Sequence, residues 1–227
     1  MSDNRKQALA FAVKNRDEVC AEKDKVVKPR IRSFLENINP KDVLALMMPS
    51  YRGPEVQTLE KAGVSRRQMF MLERDERVWN LTQKRSNVFP HLYGIQTTPY
   101  PMSACDGLDD FWAILNGKQF NLIYLDFFGR PQTHEKLIRK LFVLNLVAPQ
   151  ALMMMIFGTN RGERHDIDIS KILMKTDKNM KHIPTQVLIR NAIAFAGARM
   201  YKSIVDIPYV SKVSQNSHKY VVTIVNW

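Results

Sequence analysis

Residues 120–129 read FNLIYLDFFG, a run of six residues with one polar member, then an aspartate, two phenylalanines and a glycine, with Pro131 close behind. The run is too short for a helix of ordinary length and shows no polar alternation. It therefore predicts a strand buried on both faces, as in a parallel sheet covered by helices. Asp126 stands where that strand ends, either as the polar close of a core element or as a group that meets a ligand.

The same rhythm extends in both directions. DVLALMM (42–48) and QMFMLE (68–73) precede the run, and ALMMMIF (151–157) follows it as a further strand. Between them lie stretches at helical spacing: 54–62, a segment with Val78, Trp79 and Leu81, a segment with Leu108, Phe111, Trp112 and Leu115, and THEKLIRKLFVLNLV (133–147). Short apolar strands alternating with helices predict an α/β domain with a doubly wound, mostly parallel sheet. After an expected loop or insertion at 158–180 and a helix over QVLIRNAIAFAGARM, YKSIVDIPYV and YVVTIVNW read as two strands of a C-terminal antiparallel hairpin. Residues 41–227 are expected to form this domain and residues 1–40 a basic helical N-terminal extension, with Pro29 dividing two helices.

The chain has 227 residues and a formal net charge of +12, which favours an anionic partner such as DNA or RNA over a neutral metabolite. Two cysteines, Cys20 and Cys105, exclude a disulfide framework and a cysteine-rich zinc site, and point to an intracellular protein rather than a secreted one. The longest greasy stretch, 141–157, is broken by Asn145, Pro149 and Gln150, so no membrane span is expected. The histidines show no paired ligand spacing, and Asp166 and Asp168 lack a third acid, so no metal is expected.

In an open doubly wound sheet, ligands bind beyond the carboxyl ends of the strands where strand order reverses. That rule selects the turn with Pro49, Ser50 and Gly53, then Glu73, Asp106 and Asp126. A carboxylate ending the second strand can accept hydrogen bonds from both hydroxyls of a ribose. The bland alternative makes residues 73–76, Glu-Arg-Asp-Glu, an acidic helix start facing the positive end of the dipole. The first turn has neither G-x-G-x-x-G nor G-x-x-x-x-G-K-[ST], against a dinucleotide or a nucleoside triphosphate.

Taken in order, VLALMMPSYRG, FMLERDERVW, SACDGLDDF, NLIYLDFFG and YVVTIVNW resemble the class I S-adenosylmethionine-dependent methyltransferases over residues 41–227. The resemblance implies S-adenosylmethionine as cofactor, with Pro49, Ser50 and Gly53 facing its methionine part, Glu73 on the ribose and Asp106 on the adenine amine. Asp126 would stand beside the transferable methyl. DFFG is also similar to the signature of enzymes that methylate exocyclic amines of nucleic-acid bases, with Phe127 in the place of their proline. On that reading Phe127 or Phe128 offers a stacking face to the base; on the other, they are core residues. Arg161, Arg164, Lys171 and Lys175 are candidates for phosphate contacts. The turn holds one glycine where the family carries two or three, so a second reading is kept: a non-catalytic relative that binds nucleic acid or serves in assembly.

Overall fold

The computed structural model describes residues 16–49, 53–85, 90–127, 134–160, 207–210 and 217–225. Five parallel strands form the body of the sheet: β1 (Ala45–Met47), β2 (Met69–Met71), β3 (Gln96–Thr97), β4 (Phe120–Asp126) and β5 (Val147–Asn160). Two more, β6 (Ile207–Val210) and β7 (Ser217–Val225), are described by backbone alone and pair antiparallel, β7 against β5 and β6 against β7. The order across the sheet is β3-β2-β1-β4-β5-β7-β6. Strand order thus reverses between β1 and β4, and the carboxyl ends of these strands are where open sheets of this kind take their ligands.

Among the described residues, five α-helices cover the two faces: α1 (Arg16–Leu35), α2 (Pro54–Lys61), α3 (Glu76–Gln83), α4 (Ala104–Leu115) and α5 (Glu135–Val143). Side-chain alternation along each strand divides the core in two. Ala45, Met47, Met69, Met71, Leu122 and Tyr124 pack with α1, α2 and α3 on one face. Leu46, Phe70, Leu72, Ile123 and Leu125 pack with α4 and α5 on the other. On the second face Phe70, Phe111 and Phe120 meet edge to face, with centroids 5.3, 5.4 and 6.5 Å apart, and so bind β2, α4 and β4 together.

Three features depart from the pattern expected of the sequence. The helix α1 runs through Pro29 instead of dividing there. Val27, Ile31 and Phe34 are buried against the first face, so packing on both sides of the proline holds the helix together despite the lost backbone donor. An additional short strand, β3, carries only Gln and Thr and therefore lacks the apolar run that marks the others. Strand β5 begins at Val147 and reaches Asn160, past the expected start of the loop at 158. Its register against β4 jumps from Phe120↔Val147 to Leu122↔Leu152, and Pro149, which has no N–H for a ladder, sits within that irregularity.

Phe120 shares a face with Ile123 and Leu125, positions of opposite parity, because β4 bulges against β1: the N–H groups of Asn121 and Leu122 both donate to the carbonyl of Leu44, at 3.1 and 3.2 Å. Asn121 also bridges the two strands. Its side-chain oxygen accepts the N–H of Leu44 at 2.8 Å and its amide donates to the carbonyl of Asp42 at 2.8 Å, which pins the entry of β1 to that of β4.

Candidate functional site

The register of the ladders gathers the predicted carboxylates at one edge. Met71, Met47 and Tyr124 form a matched row across β2, β1 and β4. The row after it is tied by Leu72 N–H to Met47 C=O at 3.0 Å and Met48 N–H to Tyr124 C=O at 2.9 Å. Two residues beyond the matched row come Glu73, Pro49 and Asp126. With strands about 4.8 Å apart, Glu73 and Asp126 stand about 10 Å from each other across the carboxyl edge. Asp106 joins them through backbone contacts: the N–H of Met102 donates to the carbonyl of Glu73 at 3.2 Å, bringing the start of α4 against the end of β2.

Glu73 and Asp75, two residues apart, are in opposite electrostatic situations. Asp75 is the N-cap of α3, accepting from the N–H of Arg77 at 2.9 Å and pairing with its guanidinium at 2.6 Å. The hydrogen bond from the Arg77 side chain holds the Asp75 carboxyl below its ordinary range. Burial instead pushes the Glu73 carboxyl up, against the opposing pull of the N–H groups of Asp75 and Arg74. Asp75 and Glu76 therefore fill the role of an acidic helix start, and Glu73 lies outside the helix altogether. Its Oε1 accepts from Arg74 and Asp75 N–H, both at 2.8 Å, which fixes the carboxylate. Among the described residues nothing donates to Oε2. A pinned carboxylate with one uncommitted oxygen is suited to accept hydroxyl donors.

The turn after β1 is described at Pro49 and from Gly53 onward. Pro49 is buried. Gly53 is the N-cap residue of α2 at φ +53°, a left-handed conformation, and is followed by Pro54 in the first turn. Glycine meets the φ requirement and proline the first-turn requirement, so the chain turns sharply into the helix beside the carboxyl edge. Glu55, which the sequence pattern did not single out, is buried in the same turn at 2% exposure. Its signal was an acid at a helix start, which is common on solvated surfaces.

Asp106 lies in the first turn of α4 and is exposed. Ser103, the N-cap, donates its hydroxyl to Asp106 Oδ2 at 2.6 Å and accepts the Asp106 N–H at 3.3 Å. Its carboxylate thus has a capping partner as well as a position near Glu73. Behind it, Gly107 seats α4 tightly: a Cβ there would come within 2.8 Å of Leu72 Cδ2 and 3.0 Å of Thr98 Cγ2.

Asp126 ends β4 and is half-buried. Phe127 is 3% exposed in the second core cluster, with its ring stacked on that of His134 at 4.2 Å and 17°. In this structure the ring is therefore enclosed by core residues on one side and by His134 on the other. His134, a residue with no motif around it in sequence, is brought to the edge as the residue before α5. Ser50, Phe128, Arg161, Arg164, Lys171 and Lys175 lie outside the described residues, as does the expected helix at 186–200. Among the described residues no cluster of three metal-ligating side chains occurs, and no helix is long and apolar enough to cross a membrane.

No protein-family model and no curated protein matches the chain. Among solved structures, similarity is found to an rRNA methylase from Streptococcus thermophilus at 13% identity, covering 86% of this chain and 93% of that one with a TM-score of 0.45. A candidate methylase from Haemophilus influenzae is similar at 14% identity, covering 90% and 99% with a TM-score of 0.44. A candidate methyltransferase from Escherichia coli is similar at 13% identity, covering 88% and 86% with a TM-score of 0.41. Likeness this remote assigns neither family nor activity to the chain.

Proposed function

We propose that this protein is an S-adenosylmethionine-dependent methyltransferase acting on nucleic acid, at an exocyclic amine of a base. The observation that carries the reading is Glu73: a fixed, partly desolvated carboxylate at the end of β2, beside the point where the strand order reverses. Partial burial of a charge is costly, and the local capping role is already filled by Asp75. The terminal antiparallel pair β6–β7 is read as the closing hairpin of the methyltransferase arrangement.

The residues present suit the cofactor. Glu73 would hold the ribose hydroxyls, Asp106 the adenine amine, and the Pro49–Gly53 turn the methionine part. S-adenosylmethionine supplies an electrophilic methyl group when bound. Asp126, about 10 Å from Glu73 across the edge, accepts a hydrogen bond from the substrate amine and so orients the amine's lone pair. Because the Phe127 ring is enclosed, we assign the role of stacking face to Phe128.

The second reading, a non-catalytic nucleic-acid-binding protein of the same architecture, is favoured by the enclosed Phe127 ring and by a first turn with one glycine. Incubation with methyl-labelled S-adenosylmethionine and mixed single-stranded RNA or DNA separates the two. Label is expected in the nucleic acid with the native protein and not with Asp126→Ala, while both bind the cofactor. Equal incorporation by both proteins removes Asp126 from the chemistry, and no incorporation with any nucleic acid favours the binding protein.

A further inference from the structure

Away from the carboxyl edge, a polar cleft of about 470 Å³ runs along the outer side of β3, between that strand and α3. Trp79, Thr82, Gln83, Tyr93, Gln96 and Thr97 line it. Its walls are fixed by their own hydrogen bonds. The Trp79 indole N–H donates to the carbonyl of Thr98 at 2.9 Å, the Thr82 hydroxyl to the carbonyl of Trp79 at 2.6 Å, and the Gln83 amide to Thr82 Oγ1 at 2.8 Å. Gly94 N–H donates to the carbonyl of Thr82 at 3.0 Å, closing the strand onto the helix.

Two features of the cleft face outward. Tyr93 is 41% exposed, yet its backbone is held: Arg66, paired with Glu60, donates to the carbonyls of Pro90 and Tyr93. Tyr100, 63% exposed, stands just beyond the other end of β3. Among the described residues the side chain of Gln96 has no hydrogen-bond partner. Lys84 and Arg85, both exposed, follow α3 in sequence directly after Gln83, the last helical residue lining the cleft. Exposed rings on a fixed backbone, an uncommitted amide and adjacent cations are the components of a single-strand nucleic-acid groove. The strand β3 itself is two residues long, too short an edge to recruit a peptide strand effectively.

We infer that this cleft is a binding groove for single-stranded nucleic acid, with Tyr93 stacking a base, Gln96 contacting a base edge, and Lys84 and Arg85 contacting phosphates. The inference rests on the proposed nucleic-acid methyltransferase reading and extends it. The groove lies three strand spacings from β4, about 14 Å, so it would hold nucleotides flanking the one presented to Asp126. The protein would then read its substrate over several nucleotides instead of a single base.

The test is fluorescence anisotropy of a labelled single strand of about a dozen nucleotides, as RNA and as DNA, with the full chain and no cofactor. Native protein is compared with Tyr93→Ala, Gln96→Ala and Lys84→Gln/Arg85→Gln. Tyr93→Ala is expected to weaken binding roughly 5- to 150-fold, from a stacking contribution of about 1–3 kcal/mol. The double charge variant should flatten the salt dependence by about 0.7 in log–log slope for each cation lost. Thermal melting and S-adenosylmethionine binding should be unchanged in Tyr93→Ala, since its ring is exposed and it is not among the residues proposed to hold the cofactor. Native-like affinity in every variant overturns the groove while leaving the methyltransferase reading intact. Binding of no nucleic acid by the native protein overturns both, as does displacement of the strand by extended peptides but not by unlabelled nucleic acid.

Discussion

Replacing Glu73 by glutamine should make the protein at least as stable at neutral pH, although the native residue accepts two hydrogen bonds. Glutamine keeps an oxygen for the N–H groups of Arg74 and Asp75, which now lie 2.8 Å from Oε1, and removes a charge that burial disfavours. Alanine also removes the charge but strands both donors. At about 1 kcal/mol net for each bond, Glu73→Ala should be about 2 kcal/mol less stable than Glu73→Gln. The dependence on pH follows from the direction of the shift. A carboxyl whose folded pKa lies above its unfolded value is most costly when ionised in both states, and costs nothing once it is protonated in both. The advantage of glutamine over glutamate should therefore be full above the raised folded pKa and disappear as pH falls below the unfolded value of about 4.3. Urea denaturation of the three proteins at pH 7 and below pH 4 measures this. If Glu73→Gln is clearly less stable than native at pH 7, the carboxylate is a stabilising local cap, and the reasoning that sets it aside for a ligand is wrong.

Other outcomes follow from the geometry of the same edge. Asn121→Ala removes both side-chain bonds that tie β1 to β4, and should cost about 2–3 kcal/mol in urea denaturation; a loss under 0.5 kcal/mol would mean water replaces them. Gly107→Ala forces a Cβ to within 2.8 Å of Leu72 and should cost about 1–3 kcal/mol, less the gain in helix propensity, so a stabilised variant would contradict the tight seating of α4. Asp75→Ala should lose about 1 kcal/mol of cap stability at neutral pH. Because the folded pKa of Asp75 is depressed, that loss should shrink as pH falls through it, opposite to the trend at Glu73. A pH-independent difference between Asp75→Ala and native would remove the ionised cap.

The parallel core was legible because β1, β2, β4 and β5 contain apolar runs that only a sheet covered on both faces requires. Strand β3 was not, since Gln96 and Thr97 occupy the sheet edge, where one side meets water and polar residues suffice. Pro29 misleads for a related reason: local propensity predicts a break, and burial of Val27, Ile31 and Phe34 overrides it. Glu73 and Asp126 could be picked out as strand-end acids, but the division of labour between Glu73 and Asp75 needed the hydrogen bonds. For Phe127 and Phe128 the sequence offered both a core role and a ligand face, with the core role preferred for at least one of them, and the burial of Phe127 beside His134 needed the fold. The groove beside β3 draws on residues from 79 to 97 whose types form no motif; their adjacency comes from the return of the chain past α3.

The most direct measurement is calorimetric titration of the full chain with S-adenosylmethionine and, in parallel, S-adenosylhomocysteine. The account predicts saturable binding of both, abolished or weakened at least tenfold in Glu73→Gln and Glu73→Ala, with both variants folded. Absence of binding at millimolar ligand, or affinity unchanged in Glu73→Ala, would contradict it and leave the carboxyl ends of β1 and β4 without a cofactor.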